Sequence, residues 1–384
     1  MLMFLAIAAA TQNFAPNAPR YWPKYGGTRE VRLLDGTWEF GYIDGWNSGF
    51  DAMSKTFVPK AGVTPNKTAV PSCMDVVAGG ASGYLGPRGV AMYRTSFASP
   101  GAGAPVRLQF QACSFYCRVW VNGVEVGDHR AGGYVAFRLD VPANILHIDG
   151  QGNELFVLAD NRFNHTTAPM HTGGDFWHYG GLIRSVELHT MSATMPVVWR
   201  AYVLPADSDV TSGQKAAGAP DSIDLTIELS DDRLSGTDLP VRIAFDAGEA
   251  VEIRLAVNGH SATSKAIKVP NATPWSPQLP HLHTLTVSVN GGDVTERFGL
   301  RRFGVDPASS RLTINGKVTK LVGWNHHTQW PVTAASPTDA QIDADIALLK
   351  QGHANVRPAA ATASLPPCRR LTASCPPAPP TLSL

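Results

Sequence analysis

The sequence predicts a mainly β protein, in which a jelly-roll β-sandwich is followed by an immunoglobulin-like β-sandwich and by the truncated start of a (β/α)8 barrel. Short runs of alternating apolar and polar residues fill most of the 384-residue chain, which is the pattern of half-buried strands. Four Asn-Gly pairs interrupt these runs, and this dipeptide favours two-residue hairpins. One sustained helical pattern occurs, and it lies late in the chain. The Asn-Gly pairs begin at Asn122, Asn258, Asn290 and Asn315.

Residues 26–195 are predicted to form the jelly roll. Their clearest element is a hairpin around Asn122-Gly123, in which Val119 and Val121 lead into the turn and Val124 and Val126 return with one buried face. No part of this region has a sustained helical period, which favours an all-β sandwich. Further strands are predicted at 106–110, 135–139 and 155–158.

Residues 196–306 are predicted to form the immunoglobulin-like sandwich. A polar, Gly- and Pro-bearing loop at 206–220 lies near its start. Apolar residues then alternate with polar ones in several short runs, two of which lead directly into Asn-Gly turns. The runs lie at 223–229, 241–245, 251–257 and 285–289.

Residues 307–357 are predicted to begin a (β/α)8 barrel with strand 1, helix 1 and strand 2. A hairpin around Asn315-Gly316 comes first, and Ala354–Val356 is read as a strand that follows the helix. The helix carries an apolar stripe at Ile342, Ile346 and Leu349. A full barrel needs about 250 residues, so only its beginning is present. The helix end signals are Ser336 as the N-cap, Pro337 and Asp339 in the first turn, and Gly352 as the C-cap.

The two ends of the chain are predicted to differ from the folded part. Residues 1–25 are a candidate leader, because Met1–Ala10 is apolar and ends in small residues. That stretch lacks a basic start and is too short to span a membrane, so secretion is left open. Residues 358–384 hold seven prolines and neither acidic nor aromatic residues, which predicts a disordered tail foreign to the fold, such as frameshifted or unspliced sequence.

The composition of the chain limits the classes of binding partner that can be expected. The net charge is +1, with 16% charged and 44% hydrophobic residues, which is globular. Such a chain creates no field that would draw it onto nucleic acid or an acidic membrane, so neither is expected as a partner. No cofactor is predicted, the cysteine spacing suggests no zinc site, and homo-oligomerisation is left open. A secreted, lysosomal or vacuolar location is also left open. The N-glycosylation sequons at Asn66, Asn164 and Asn271 would suit secretion, but such short triplets also occur by chance.

The five cysteines predict no disulfide. Cys113 and Cys117 lie in a strand-like run, where four extended residues would separate them by about 13 Å. A disulfide needs roughly 7 Å or less between Cα atoms. All five are therefore expected to act as small buried apolar side chains. They are Cys73, Cys113, Cys117, Cys368 and Cys375.

Several stretches, in order, resemble glycoside hydrolase family 2 over residues 28 to 357. Each motif is short, and their common order carries the resemblance. They are Thr28–Val31 and Leu34–Phe40 at the start of a sugar-binding domain, Val119–Gly123 with Gly132–Tyr134 in its central hairpin, Asp175–Val186 at its closing strand, Trp275–Pro277 and Phe298–Arg301 at the end of the immunoglobulin-like domain, and Gly323–His327 at the first barrel strand.

The resemblance implies a retaining β-glycosidase that acts on terminal β-linked sugars, either β-glucuronides or β-galactosides. Such enzymes use one carboxyl group as acid and another as nucleophile, about 5–5.5 Å apart. The family places both glutamates beyond residue 357, so no catalytic residue is predicted here and the chain alone is expected to be inactive. A non-catalytic carbohydrate-binding module or a pseudoenzyme fragment is the alternative.

The resemblance also implies four substrate-binding residues: Asp175, Asn325, His327 and Arg357. Asp175 would bind a sugar hydroxyl, although a loop aspartate that caps local backbone is the plain alternative. His327 would line the pocket with Asn325 supporting it, whereas His326 is read as a surface residue. Arg357 would help to hold the nucleophile glutamate. After this position the family has a small residue and His-Tyr-Pro, whereas this chain has Pro358-Ala359-Ala360.

Three tryptophans and two glutamates are assigned plainer roles. Trp120, Trp177 and Trp275 could stack against sugars, but core packing is favoured. Glu125 and Glu187 lie on alternating strands and are expected to face solvent.

Overall fold

The computed structural model describes residues 22–44, 66–79, 88–98, 100–101, 104–130, 132–162, 178–206, 218–324 and 326–356. The predicted tail and nearly all of the predicted leader lie outside these residues. No helix in the described ranges is long and apolar enough to cross a membrane.

Within these ranges the chain is mainly β, as predicted, with two α-helices and a 3-10 turn at Ala143–Ile145. The elements follow one another in this order: β1 (Lys24–Gly27), β2 (Glu30–Leu33), β3 (Gly36–Asp44), β4 (Asn66–Val70), α1 (Met74–Gly79), β5 (Gly89–Phe97), β6 (Val106–Phe110), β7 (Tyr116–Val121), β8 (Val124–His129), β9 (Phe137–Val141), β10 (Asn153–Asp160), β11 (Val186–Thr190), β12 (Val198–Pro205), β13 (Ser222–Leu229), β14 (Asp238–Phe245), β15 (Val251–Asn258), β16 (Ser261–Lys268), β17 (His283–Val289), β18 (Gly292–Phe298), β19 (Phe303–Asp306), β20 (Arg311–Ile314), β21 (Lys317–Val318) and α2 (Asp339–Gln351).

The first sandwich consists of two antiparallel sheets that share one core. One sheet has the strand order β4-β3-β5-β10-β7-β8 and the other the order β2-β11-β6-β9. Apolar residues that alternate along the strands of both sheets meet in this core, so the period-2 pattern in the sequence is what closes the sandwich. Its largest fully buried side chains include Trp38, Tyr93, Phe110, Leu108 and Leu155.

The hairpin predicted at Asn122-Gly123 is confirmed, with φ angles of 49° and 78° at the two turn residues. On β7 the side chains of Val119 and Val121 are buried as expected. On the return strand Val124 is exposed and only Val126 packs against the core. The difference arises because β8 is an edge strand, so its first residue lies at the rim of the sheet.

The second sandwich is an eight-stranded antiparallel sheet with the order β1-β18-β17-β14-β15-β16-β13-β12. Strand β12 also lies against β17 and β18, so the sheet folds over a single core. The alternation predicted at 223–229 is confirmed, since all four apolar residues of that run are buried on β13. Strand β1, which precedes the first sandwich in the chain, pairs with β18 from Lys24↔Thr295 to Gly27↔Gly292.

A three-stranded sheet of β19, β20 and β21 follows, and its turn at Asn315-Gly316 has the predicted positive φ angles of 53° and 77°. Helix α2 comes next, but Thr338 caps it, and the prediction of Ser336 is wrong. The Thr338 hydroxyl accepts from the N–H of Gln341, and the Gln341 side chain accepts from the N–H of Thr338. This reciprocal box needs Glu or Gln three residues after the cap, which Thr338 has and Ser336 lacks.

The barrel strands predicted at 323–327 and 354–356 do not form in the described part of the chain, and the start of a barrel stays a prediction. Residues 320–322, which precede the first of these segments, nevertheless lie beside 354–356. The carbonyl of Val322 accepts from the N–H groups of Asn355 and Val356, and the Asn355 side chain bonds Val322 N and Lys320 O. Helix α2 follows the predicted stripe and ends at Gly352, yet none of its residues is fully buried.

The cysteine prediction is wrong for one pair, because Cys113 and Cys117 form a disulfide with a Cα–Cα distance of 6.3 Å. The extended spacing does not apply, since the chain bends at Phe115 and β7 begins only at Tyr116. Both half-cystines are buried in the first core. Cys73 is a buried free cysteine, as expected.

The prediction that Glu187 faces solvent is also wrong, whereas Glu125 is exposed as expected. Glu187 is only 1% exposed, because the second sandwich covers the outer face of the four-stranded sheet that contains β11. Alternation along a strand therefore distinguished the two faces of the sheet without showing that both were covered.

Candidate functional site

One of the four predicted substrate-binding residues lies in the described part of the chain. His327 is half-buried, and its carbonyl accepts from the N–H of Gln329. Asp175, Asn325 and Arg357 lie outside the described residues, so their sugar-binding roles stay predictions. The site is therefore built here from the described segments on either side of them, 178–184 and 326–336.

Segment 178–184 is buried along its whole length although it forms no regular strand. The carboxylate of Asp75, at the start of α1, accepts from the N–H of Gly180 at 2.6 Å and also from the Asn161 side chain. Arg88 donates to the carbonyls of His178, at 2.8 Å, and of Asn161, at 3.0 Å. The buried side chain of Asp75 and the half-buried side chain of Arg88 thus hold the residues that follow the Asp175 stretch.

The two glycines of this segment are required by close approach. A Cβ atom at Gly180 would collide with the Asn161 side chain, and one at Gly181, where φ is +104°, would meet the Tyr93 hydroxyl and Met74 N. Gly181 also exchanges both backbone hydrogen bonds with Ser114, at 3.0 and 2.7 Å. Gly180 and Gly181 therefore let the segment lie against the first sandwich.

Segment 333–335 lies directly on 178–184. The Arg184 guanidinium donates to the Ala335 carbonyl at 2.5 Å, and the Cys73 thiol donates to the Thr333 carbonyl at 3.6 Å. A small apolar cluster fills the space between them. We call this arrangement the platform, defined as residues 73–75, 178–184 and 333–335 together with Arg88, which donates to the His178 carbonyl. The cluster comprises Cys73, Ala112, Tyr179, Ile183, Ala334 and Ala335.

His326 has a structural partner and is not the plain surface residue expected. Its Nε2 lies 2.7 Å from Asp345 Oδ2, and the indole N–H of Trp330 donates to the same oxygen at 3.2 Å. Asp345 belongs to α2, so these contacts tie the helix to the segment that contains His327. His326 therefore contacts the helix through Asp345, and His327 is the next residue in the chain.

Burial sets the electrostatics of the platform. It raises the pKa of the Cys73 thiol above its usual range, with Asp75 adding to the effect. It lowers the pKa of Arg88, while nearby Asp75 opposes the change. Cys73 is therefore a neutral packing group and no nucleophile. Asp75 is 1% exposed and already accepts two hydrogen bonds, so it can position backbone but has no open face for a substrate.

The aromatic residues do not follow the core prediction. Trp120 is half-buried on the face of β7 that points away from the core, where it contacts Phe156 at 5.2 Å and lies under Arg118. Trp275 is also half-buried, with the Arg301 guanidinium 4.5 Å from its ring. Core packing is wrong for both, and their faces are covered by arginine. Trp177 lies outside the described residues.

Two family models match the chain, the "beta-galactosidase second all-beta domain" over residues 53–165 and "glycosyl hydrolases family 2" over residues 208–301. They fall on the first and second sandwiches in that order, and similar sequences agree with them. A β-glucuronidase of Paenibacillus borealis is 25% identical over 360 residues, which are 87% of this chain and 55% of that protein. The chain belongs to glycoside hydrolase family 2.

Other relatives in family 2 include the β-galactosidase BgaC of Bifidobacterium adolescentis, which is 28% identical over 257 residues, 62% of this chain and 24% of that protein. Among solved structures, the Bifidobacterium dentium β-glucuronidase complexed with coumarin-3-O-glucuronide has a TM-score of 0.67 at 23% identity, covering 87% of this chain and 57% of that one. This likeness shows a shared fold. The chain spans between 24% and 57% of the length of these three family 2 proteins.

Sequence reasoning missed Asp75, Arg88, Cys73 and Arg184 as the groups that build the platform. Their signals were weak, because each is a single residue whose partners lie far away in the chain. In the sequence, this place was indicated only by the stretch Asp175–Val186, which is one of those that carry the family resemblance.

Proposed function

We propose that this chain is the non-catalytic front part of a retaining β-glycosidase of family 2 that hydrolyses terminal β-glucuronides or β-galactosides. The sequence relatives carry the proposal, because both named activities occur among the proteins to which this chain is similar. The two catalytic glutamates would lie beyond residue 357. The chain alone is therefore proposed to be inactive.

Exposed apolar side chains after the second sandwich support a missing neighbour. Trp324 is 57% exposed and Leu348 is 63% exposed, while the two sandwich cores are closed. Leu321 and Val322 are also exposed beside Trp324. In the proposed enzyme the remaining barrel strands and helices would cover this surface.

We further propose that Asp175, Asn325, His327 and Arg357 belong to the sugar-binding site, where Asp175 and His327 contact the sugar, Asn325 supports His327 and Arg357 helps to hold the nucleophile. The platform supports this for two of them, since segment 178–184 follows Asp175 by three residues and segment 333–335 follows His327 by six. Side chains on two segments that are packed together could reach one ligand. Asp175 would accept hydrogen bonds from sugar hydroxyls, and His327 would donate or accept one.

A chimera tests the proposal. Residues 1–356 are joined to the part of the Paenibacillus borealis β-glucuronidase that follows the aligned region, and turnover of 4-nitrophenyl β-D-glucuronide and β-D-galactoside is measured. Turnover of either substrate by the chimera, and by neither half alone, is expected. A folded chimera without turnover would contradict the enzymatic role, and turnover by the unmodified chain would contradict its inactivity.

His327→Ala in the active chimera tests the sugar contact. Loss of one hydrogen bond to the substrate should raise KM about tenfold or more. The matched control is His326→Ala, which loses the contact to Asp345 and should lower thermal stability more than it changes KM. Equal KM values for the His327 variant and the parent would rule out the contact.

A further inference from the structure

Arg29 lies between the two sandwiches, after β1 of the second and before β2 of the first, and is 3% exposed. Its Nη1 donates to the carbonyls of Val198, at 3.2 Å, and Trp199, at 2.7 Å, at the start of β12. Its guanidinium carbon lies 3.8 Å from the centre of the Tyr25 ring and 4.1 Å from that of Trp199. The second sandwich therefore holds this buried charge by two carbonyls and two aromatic faces.

His189, on β11 of the first sandwich, supplies the remaining partner. Its Nδ1 lies 3.3 Å from Arg29 Nε and 3.0 Å from Arg29 Nη2. A guanidinium can only donate, so Nδ1 accepts and carries no proton. The proton then resides on Nε2, which donates to Glu187 Oε2 at 2.9 Å. The contacts thus require one neutral tautomer of His189.

Glu187 completes the connection within the first sandwich. Its other oxygen accepts from the Gln111 side chain at 2.8 Å. Both Glu187 and His189 are at most 1% exposed, so water cannot replace these bonds. The neutral imidazole therefore joins a buried carboxylate to a buried guanidinium and links two strands that belong to different sandwiches.

We propose that Arg29, His189 and Glu187 form a pH-sensitive latch between the two sandwiches, closed while His189 is neutral and opened when His189 is protonated. A proton on Nδ1 would point a donor at the two donors of Arg29 and place a second positive charge beside the guanidinium. The bond between Arg29 and His189 would then be lost. Arg29 keeps its carbonyls on β12, so the break falls between β11 and the second sandwich.

Burial, followed by the charged groups around it, sets the direction in which the pKa of His189 is shifted. Burial lowers the pKa of His189; the Glu187 hydrogen bond opposes this, and Arg29 and Arg107 add to it. Arg29 stays charged, since burial lowers its pKa only to about 10. Tyr25 stays neutral, because burial raises its pKa. Arg200 and Glu296 act on the pKa of Tyr25 in opposite directions, Arg200 lowering it and Glu296 raising it.

Other contacts between the sandwiches do not involve His189. Arg107 donates to the Ser230 carbonyl at 2.9 Å, and Arg138 lies 3.2 Å from Glu228 Oε2. These bonds remain when the latch opens. Acidification is therefore expected to widen the range of orientations of the two sandwiches without separating them.

Spin labels report that range directly. Labels are attached at Glu125→Cys on β8 and Lys265→Cys on β16, both exposed, in the full chain with Cys368 and Cys375 replaced by serine. The distance distribution between the labels is measured by pulsed electron resonance at about pH 7.5 and at the lowest pH at which the chain keeps its native circular dichroism, because burial lowers the pKa of His189. A distribution about twofold broader at the lower pH is expected for the otherwise unchanged chain.

Two variants separate the latch from general acid effects. His189→Gln keeps an acceptor and a donor but cannot gain a charge, so its distribution should stay narrow at both pH values. Arg29→Met should give the broad distribution at both. The latch is refuted if the distance distribution of the chain with native His189 is equally narrow at both pH values while its circular dichroism is native. It is also refuted if the distribution of His189→Gln broadens at the lower pH as that of the native chain does. Should Arg29→Met fail to fold, these two results still decide.

Discussion

The carboxylate of Asp75 accepts the backbone N–H of Gly180 at 2.6 Å, and this bond ties the start of α1 to the segment that enters β11. The two residues lie more than a hundred positions apart in the chain, and both are buried. The same carboxylate also holds Asn161. One acidic side chain therefore connects three parts of the first sandwich at the platform.

Asp75→Asn is expected to destabilise the chain by about 2 kcal/mol, because an amide can accept at only one of the two positions and buries an unpaired donor at the other. Urea unfolding measures the loss, and hydrogen exchange should show faster exchange at Gly180. Asp149→Asn is the matched control, since exposed Asp149 also accepts from a backbone N–H and an amide, both of Gln151. Equal losses for the two variants would contradict a special role for Asp75.

Gly180→Ala should cost about 2 kcal/mol, because the added methyl group collides with the Asn161 side chain and must displace it from Asp75. Thermal unfolding measures the change. Gly152→Ala serves as control, since a Cβ there meets its nearest neighbour, Ser96, at 3.9 Å. A Gly180→Ala variant as stable as the control would show that the close approach is not needed.

The disulfide predicts that Cys113 and Cys117 do not react with an alkylating reagent unless it is first reduced. When the chain is denatured without reductant and alkylated, mass spectrometry should find Cys73 modified and Cys113 and Cys117 unmodified. Reductant should expose both. Replacing the pair by serine is expected to cost about 2 kcal/mol, since the bond closes a short loop of the unfolded chain. Alkylation of Cys113 without reductant would contradict the bond.

The raised pKa of Glu296 predicts that the folded chain loses stability as the pH rises. Burial raises its pKa to about 7 in the folded chain, against 4.5 for the free side chain, although neighbouring Arg297 and Arg200 oppose the change. The folded state therefore binds this proton more tightly, and the stabilisation is full below about pH 4.5 and disappears as the pH passes about 7. Glu296→Gln should remove this dependence. Melting temperatures of both proteins at pH values on either side of 7 measure it, and parallel curves would contradict the assignment.

The sequence was sufficient for the strands and their turns. Asn122-Gly123 and Asn315-Gly316 adopt the positive φ angles that this dipeptide tolerates, and the apolar run of β13 is buried on one face. These features are local, so neighbouring residues alone determine them. The helix was also found, but its cap was misplaced by two residues because the reciprocal bond to Gln341 was not considered.

The features that depend on distant parts of the chain could not be predicted. Glu187 follows the alternation of an exposed position, and only the arrival of the second sandwich buries it. Cys113 and Cys117 could bond only because the chain bends between them. The platform joins residues near 75, 180 and 334, and no pattern within any one of these stretches indicates the other two.

Strand β1 gives the chain an unusual order of assembly. It emerges from the ribosome before any of the first sandwich, yet its partner β18 is among the last strands to be made. Until β18 is made, β1 has no strand to pair with. Without β1, β18 would be an unpaired edge of the second sheet. Folding of the second sandwich is therefore tied to both ends of the described chain. A gene fragment that begins after Gly27 would yield a protein with that edge bare, prone to pairing with its own copies.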